Sequence, residues 1–302
     1  MAGRKVTIMS NYVEKAKELI GSFANHSHYT RTFEDDVEVV LTETHPNSGS
    51  DLWEVRLIGR LIPGALSTEA VQSAHAHIRT ITTPVTNRFA VAGKGSAVPR
   101  ICKDGTVSAT TEVPKSVQAI TGYSDVIGYL APTPRCRRGR LSGWTRTHRK
   151  ARAALEPILR EIDDVFAREY RNEHDYQATG WTGNGVYNFY GGMDDETAFS
   201  SCYGNANVRS AYHRDGHNLN GSLSAVFTMG EYEGGGLVLP QYGVSFNLQP
   251  CDLLLFYGDD VHGVTPFTGQ RYSGVFFSAA QYQDFWQEVG LPTPDPNDPV
   301  DL

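Results

Sequence analysis

Between Tyr212 and Arg271 the chain carries a small set of residues able to hold a metal ion, in YHRDGHN at the start of the stretch and DDVHGVTPFTGQR at its end. His213 and Asp215 are two positions apart, so on an extended segment both side chains leave the same face and form a two-pronged chelate. His262 follows 47 residues after Asp215, across a run of short apolar strands with turn signals, so the chain can return it beside the first pair. Two histidines and one carboxylate make the facial triad of non-haem Fe(II) oxygenases, a ligand set that leaves coordination positions open for co-substrate and oxygen. Arg271 lies nine residues beyond His262, after a turn expected at Pro266 and Gly269. On the next strand, facing the same cavity, its planar guanidinium could bind a carboxylate through two parallel hydrogen bonds. A bare His-x-Asp is common in surface loops; the added His and Arg in β-rich sequence separate this case from that one.

The elements that must position these groups are mostly strands. After Trp181 come GNGVYNFYGG, SLSAVFTMG, GGLVLPQYG, VSFNLQP, DLLLFYG and RYSGVFFSAAQY, separated by turns at Gly234 to Gly236, Gly243, Pro250 and Gly258. That spacing is the pattern of a jelly roll or barrel. The expected class is α+β with a mainly β core, a double-stranded β-helix from about 181 to 282 flanked by N-terminal helices. Upstream, Asn11 to Phe23 has helical apolar spacing, and Asp36 to Pro63 reads as two strands around the turn-rich HPNSGSD. Ser67 is placed to cap a helix carrying Val71, Ala74, Ile78 and Ile81. His75 and His77 lie about 200° apart on that helix and cannot chelate together. His26 and His28 have no carboxylate partner nearby and read as loop residues. Residues 1–85 are expected to form an extension packed on the core, 86–290 the main domain, and 291–302, with its four prolines and three acids, a disordered tail.

Composition narrows the classes. The 302 residues carry 40 % hydrophobic content and a net charge of −7, an ordinary soluble balance that excludes coating nucleic acid by bulk charge. Four scattered cysteines without C-x-x-C fit free thiols in a reducing, intracellular compartment. The N-terminal residues are interrupted by charge before any signal-peptide run, and no stretch is apolar enough for a membrane span. Against the acidic whole, Arg135 to Arg160 holds nine basic residues and one acid, so this window is +8 and the remainder −15. A loop containing Arg137 and Arg138 leads there into a helix expected over Thr145 to Tyr170, with Arg149 near its start and Pro157 kinking it or marking a second start. The window reads either as a solvated helix surface or as a phosphate-contact patch.

Beyond the triad, NRFAVAG, TGYSDVIGYLAPTPRCRRGRLSGWTRTH, AFSSCYGNANVRSAYHRDGHN, the GEYEGGGLVLPQYGVSFNLQPCDLLLFYGDDVHGVTP core and RYSGVFF resemble the blocks of the TET/JBP branch of the Fe(II)- and 2-oxoglutarate-dependent dioxygenases. That family oxidises the 5-methyl group of pyrimidines in DNA. The resemblance implies Fe(II) held by His213, Asp215 and His262, 2-oxoglutarate contacted by Arg271 and Ser273, and O2 as oxidant. It implies a base contact at Asn218, since HRDGHN is close to the TET form, and pocket positions at Asn205 (on the cofactor side) and Arg209 (toward the substrate). Two departures stand out: the base-contacting His that TET enzymes carry eight residues after the cofactor-binding Arg is Ala279 here, and the cysteine-rich zinc region of animal members is absent.

The leading expectation is a DNA pyrimidine 5-methyl hydroxylase, 5-methylcytosine ahead of thymine, nuclear if the source is eukaryotic. Its base must be flipped out of the duplex to reach the site, with Arg137, Arg138 and Arg149 on the phosphates. A small-molecule or protein hydroxylase built on the same core would leave those arginines idle. A non-enzymatic jelly roll that binds DNA or metal is the third reading, and the complete ligand set with Arg271 weighs against it.

Overall fold

Leu253, Leu254, Leu255 and Phe256 give one strand two apolar faces, and all four are buried, so this strand needs a covering layer on each side. In a computed structural model both layers are present. The structure describes residues 3–9, 13–44, 52–83, 100–101, 107–108, 122–130, 140–179, 189, 197–215 and 218–279. The strands are β1 (Arg4–Ile8), β2 (Arg31–Phe33), β3 (Val37–Thr44), β4 (Leu52–Ile62), β5 (Arg100–Ile101), β6 (Val107–Ser108), β7 (Tyr123–Leu130) and β8 (Arg140–Leu141), then β9 (Ser201–Ala206), β10 (Ser224–Gly234), β11 (Leu237–Leu239), β12 (Val244–Phe246), β13 (Leu253–Phe256), β14 (Gly263–Val264) and β15 (Phe267–Phe277). The helices are α1 (Val13–Glu18), α2 (Thr68–Ile78), α3 (Gly143–Thr147), α4 (Arg149–Glu169) and α5 (Arg171–Thr179).

A nine-stranded sheet runs β1-β3-β4-β13-β10-β15-β9-β7-β8, and a four-stranded sheet runs β14-β11-β12-β2. Strand alternation sorts the large sheet's side chains between two cores. Ala225, Phe227, Leu253, Leu255 and Phe276 point toward α2 and α4, joining Ile78, Leu155 and Ile162. Val226, Leu254 and Phe256 point the other way, onto Leu237, Val244 and Phe246 of the small sheet. This is the double-stranded β-helix expected from the strand pattern. Residues before 85 belong to its sheets: β1, β3 and β4 extend the large one and β2 pairs parallel with β12.

Several local expectations are met. The two strands around HPNSGSD are β3 and β4, paired antiparallel. Ser67 caps α2, its Oγ accepting from the Ala70 amide at 3.2 Å and donating to Glu161 at 2.6 Å, so the cap also ties α2 to α4. Others need correction. The helix expected over Asn11 to Phe23 ends at Glu18, because Gly21 (φ 87°) turns the chain and the segment pairs with Tyr212 instead. Pro157 lies inside α4, and the break in the basic helix falls at His148, whose φ −119° and ψ 54° separate α3 from α4. Gly269 makes no turn: it sits within β15 opposite Tyr232, at φ 85°. The strand read in GNGVYNFYGG apart from Phe189, the loop with Arg137 and Arg138, most of 87–121 and the 291–302 tail lie outside the described residues.

One buried side chain pins three chain segments where α5 meets the sandwich. The Gln177 side chain of α5 accepts from the Leu223 amide at 2.6 Å and donates to Leu223 O and Ser278 Oγ at 3.2 and 3.1 Å, beside Ala198 O at 3.4 Å. Replacing it with Leu keeps the bulk and strands buried polar partners, each costing about 1–3 kcal/mol. Gln177→Leu is expected to lower unfolding free energy by about 3 kcal/mol in urea titration; a shift within error would show that these groups find other partners.

Candidate active site

Two short irregular segments bring the triad together. His213 and His262 form an isolated antiparallel bridge in which each amide donates to the other's carbonyl, at 2.9 and 3.0 Å. The Asp215 amide donates to Gly258 O at 2.9 Å, fixing the carboxylate next to the pair. His213 Nε2 is 3.6 Å from Asp215 Oδ1, and His262 Nε2 is 3.8 Å from Asp215 Oδ2. One ligand atom from each of the three lies within 4.8 Å of the others, compact enough to share a cation. Both imidazoles also have the right tautomer. Nδ1 of His213 meets Ala211 O and Nδ1 of His262 meets Asp260 O, both at 2.8 Å. A carbonyl can only accept, so Nδ1 carries the proton and Nε2 keeps its lone pair for a metal. The edge of the Phe256 ring packs on His262, centroids 5.0 Å apart.

The triad lies in a cleft of about 580 Å³ counted to its open mouth, between the two sheets. Val226, Leu237, Phe256, Val264 and Val275 make apolar walls, and Arg271 of β15 points into the same space. Arg271 is 4 % exposed and its Nε has no hydrogen-bond partner among the described residues. Burial pulls its pKa down, and the described group that stabilises its charge is the Tyr232 hydroxyl. The guanidinium lies over the Tyr232 and Phe267 rings at 5.4 and 5.8 Å. A buried cation held by aromatics and a phenol, with no carboxylate paired to it among the described residues, is a binding group for an anion that enters the cleft.

Ser273 and Asn205 line the cleft beside Arg271 and form a cross-strand row with Ser124. Ser124 Oγ donates to Asn205 Oδ1 at 2.7 Å and Asn205 Nδ2 to Ser273 Oγ at 3.4 Å. Asn218 sits beside Asp215 and forms a backbone bridge with Ala279, so the amide and the position lacking a histidine are direct cross-strand neighbours. Its Nδ2 donates to Ser224 Oγ at 3.1 Å. Arg209 is elsewhere. Its Nη2 donates to Ala24 O at 3.0 Å and its guanidinium lies over Phe23 at 4.9 Å; the cleft is lined by its neighbours Val208 and Ser210, alternation having turned Arg209 outward. Arg149 heads α4 in the helical layer behind the large sheet, exposed to solvent.

Two features were not read from the sequence. Tyr203 lines the cleft with its ring stacked on Phe277, centroids 5.0 Å apart at 16°; only its alternation with Asn205 hinted at this. Asp260, one of the two acids before His262, accepts from Arg56 Nη2 at 2.7 Å and Tyr242 Oη at 3.2 Å, and Arg56 comes from a strand some two hundred residues earlier.

A double-stranded β-helix whose cleft combines a two-histidine, one-carboxylate triad with a buried arginine defines the architecture of a 2-oxoglutarate oxygenase domain. The chain belongs to the Tet_JBP family, the oxygenase domain of the 2OGFeDO superfamily, whose model matches residues 126–281, just over half of it. Among curated proteins, thymine dioxygenase JBP1 of Trypanosoma brucei brucei is 36 % identical over 90 residues, 27 % of this chain and 11 % of that protein. The chain thus aligns with only about a tenth of the length of this relative. Among solved structures, NgTET1 in complex with 5mC DNA superposes with a TM-score of 0.51 at 16 % identity, covering 91 % of this chain and 90 % of that one, a likeness of fold.

The close approach of Arg271 to the backbone yields a test. A Cβ at Gly235 would lie 2.6 Å from Arg271 Nε, and Gly235 has φ 73°. Gly235→Ala must therefore both strain the backbone and push the guanidinium, at a combined cost of about 2 kcal/mol or more. An unchanged denaturation midpoint would mean that Arg271 does not rest on this glycine.

Proposed function

We propose that the protein is an Fe(II)- and 2-oxoglutarate-dependent dioxygenase that oxidises the 5-methyl group of a pyrimidine base in DNA, with 5-methylcytosine ahead of thymine. The observation that carries this reading is the pairing, in one cleft, of a triad whose ligand atoms lie within 4.8 Å of one another, with each histidine's Nδ1 turned to a backbone carbonyl, and a buried guanidinium with no carboxylate paired to it among the described residues. The side chains fit the groups this chemistry requires. His213, Asp215 and His262 would hold the ferrous ion, which when bound supplies the redox chemistry that couples O2 to the oxidation of both substrates. The balanced reaction converts a methyl group, 2-oxoglutarate and O2 into a hydroxymethyl group, succinate and CO2.

The remaining roles belong to the chain itself. Arg271 would take the distal carboxylate of 2-oxoglutarate in a forked pair, with the Ser273 hydroxyl beside it and Asn205 orienting that hydroxyl. The apolar walls exclude water from the reacting methyl. Asn218, next to Asp215, would offer its amide to the base edge, giving up its present bond to Ser224. With Ala279 rather than a histidine opposite, the pocket would discriminate less between cytosine-type and thymine-type edges. The names of the two relatives, a thymine dioxygenase and a protein bound to 5mC DNA, support DNA as the partner, its base flipped into the cleft. A DNA substrate and the free thiols Cys202 and Cys251 support an intracellular site of action. Among the described residues no helix is long and apolar enough to cross a membrane.

One observation favours the second reading, a hydroxylase of a smaller substrate: Arg149 stands on the helical layer, across the large sheet from the cleft. A DNA backbone touching it would have to pass around the edge strands β7 and β8. The deciding experiment supplies Fe(II) and 2-oxoglutarate with DNA containing cytosine, 5-methylcytosine or thymine and weighs the digested nucleosides. Oxidised 5-methylcytosine is expected to dominate; succinate release without any oxidised nucleoside would reject DNA as substrate. In the same assay Arg271→Lys should raise the 2-oxoglutarate Michaelis constant about 10–100-fold, because an ammonium cannot make the fork and a charge-assisted bond contributes about 1.5–3 kcal/mol. An unaltered constant would place the co-substrate elsewhere.

A further inference from the structure

Both histidines of the triad are held from behind by residues that precede the family-matched span of 126–281. On the His213 side, Tyr212 is fully buried and its backbone is clamped in both directions: its amide donates to Ser22 O at 2.8 Å and its carbonyl accepts from Gly21 N at 2.7 Å. On the His262 side the support runs through side chains. The Asp260 carboxylate, 12 % exposed, accepts from Arg56 Nη2 at 2.7 Å and from Tyr242 Oη at 3.2 Å. The Arg56 guanidinium also lies over the Tyr257 ring at 4.5 Å. Arg56 on β4 therefore grips the connection from β13 to His262 at both Tyr257 and Asp260.

The consequence for the ligand is direct. The Asp260 carbonyl accepts the Nδ1 proton of His262 at 2.8 Å, and that bond sets both the tautomer and the ring orientation of a metal-ligating imidazole. The peptide plane carrying the carbonyl can rock unless the residue's side chain is anchored. Arg56 is the charged part of that anchor, beside the Tyr242 hydroxyl, and without it the buried carboxylate would lose its cationic partner and turn toward solvent. The carbonyl would turn with it, and Nε2 would leave the position that faces Asp215 at 3.8 Å.

We propose that Arg56 is a positioning residue of the metal site, acting on His262 through Asp260, so that the segment ahead of the family-matched span is a working part of the site. This rests on the reading of the triad as a divalent-cation site, and the test separates the two ideas. The probe is Co(II) alone, added anaerobically to the full chain without 2-oxoglutarate or DNA and followed by its visible d–d absorption and by titration calorimetry. The parent is expected to bind one Co(II), and His213→Ala to lose it. Arg56→Met should bind about 10–100-fold more weakly, the usual effect of removing an outer partner of a metal ligand, with an altered d–d band. Arg56→Lys, which can still pair with Asp260, should recover part of the affinity. Adding Asp260→Asn to Arg56→Met should cause little further loss, since both act through one contact. Near-ultraviolet circular dichroism with chelator present reports whether each variant is folded, and if Arg56→Met is not, Arg56→Lys and Asp260→Asn carry the comparison. Parent-like Co(II) affinity and spectrum in the folded Arg56 and Asp260 variants would overturn the positioning role and leave the triad standing. No Co(II) bound by the parent, or undiminished binding in His213→Ala, would overturn the triad reading and this proposal with it.

Discussion

The backbone bridge between His213 and His262 is the constraint on which the rest of the site depends. Two reciprocal amide-to-carbonyl bonds, 2.9 and 3.0 Å long, join residues 49 positions apart, and the intervening chain has to be folded before they can form. That chain supplies β10 to β13, the centre of the sandwich. The imidazoles then project from one bridge with ring centroids 4.2 Å apart, and Asp215 is set by its own bond to Gly258. Geometry of this kind is imposed by main-chain hydrogen bonds, which hold ligands more tightly than side-chain contacts on a loop could.

Around this bridge the two sheets divide the work. The helix-facing side of the large sheet carries the bulk of the apolar core, with Phe166, Phe199, Phe227 and Phe276 fully buried, and so provides the rigidity. The other side trades apolar area for function, keeping Arg271, Ser273 and Asn205 at positions that alternate with core residues. A buried guanidinium is costly, and the aromatic shelf of Tyr232 and Phe267 offsets only part of that cost. The buried guanidinium therefore leaves the cleft suited to an anionic ligand, whose binding would offset the rest of that cost.

The N-terminal third is woven into this arrangement. β3 and β4 lie between β1 and the core strand β13, and β2 closes the small sheet next to β12. Arg60 of β4, 5 % exposed, bonds both Asp36 and Glu169, tying this region to the end of α4. The contacts of Arg56 with Asp260 and of Gly21 and Ser22 with Tyr212 belong to the same interlock. The family model covers residues 126–281, while the packing of the earlier strands β1 to β4 against the later ones continues without a seam among the described residues.

What the sequence determined by itself was the local chemistry: period-two apolar strands, the Ser67 cap, and a His-x-Asp with a later His and Arg at spacings only a β-rich fold could close. These signals survive in one dimension because alternation and capping depend on near neighbours. Partners distant in the chain were decided by the tertiary structure alone. Nothing in a linear reading says that Arg209 would face Ala24 and Phe23 rather than the cleft, because which side of an irregular segment meets the cavity is set by what covers the other side. The end of α1 at Glu18 was hidden for the same reason, since backbone pairing with Tyr212 overrode a helical apolar pattern. The link from Arg56 to Asp260 spans 204 residues, and a charge pair at that separation exists only once β4 and β13 have been laid side by side.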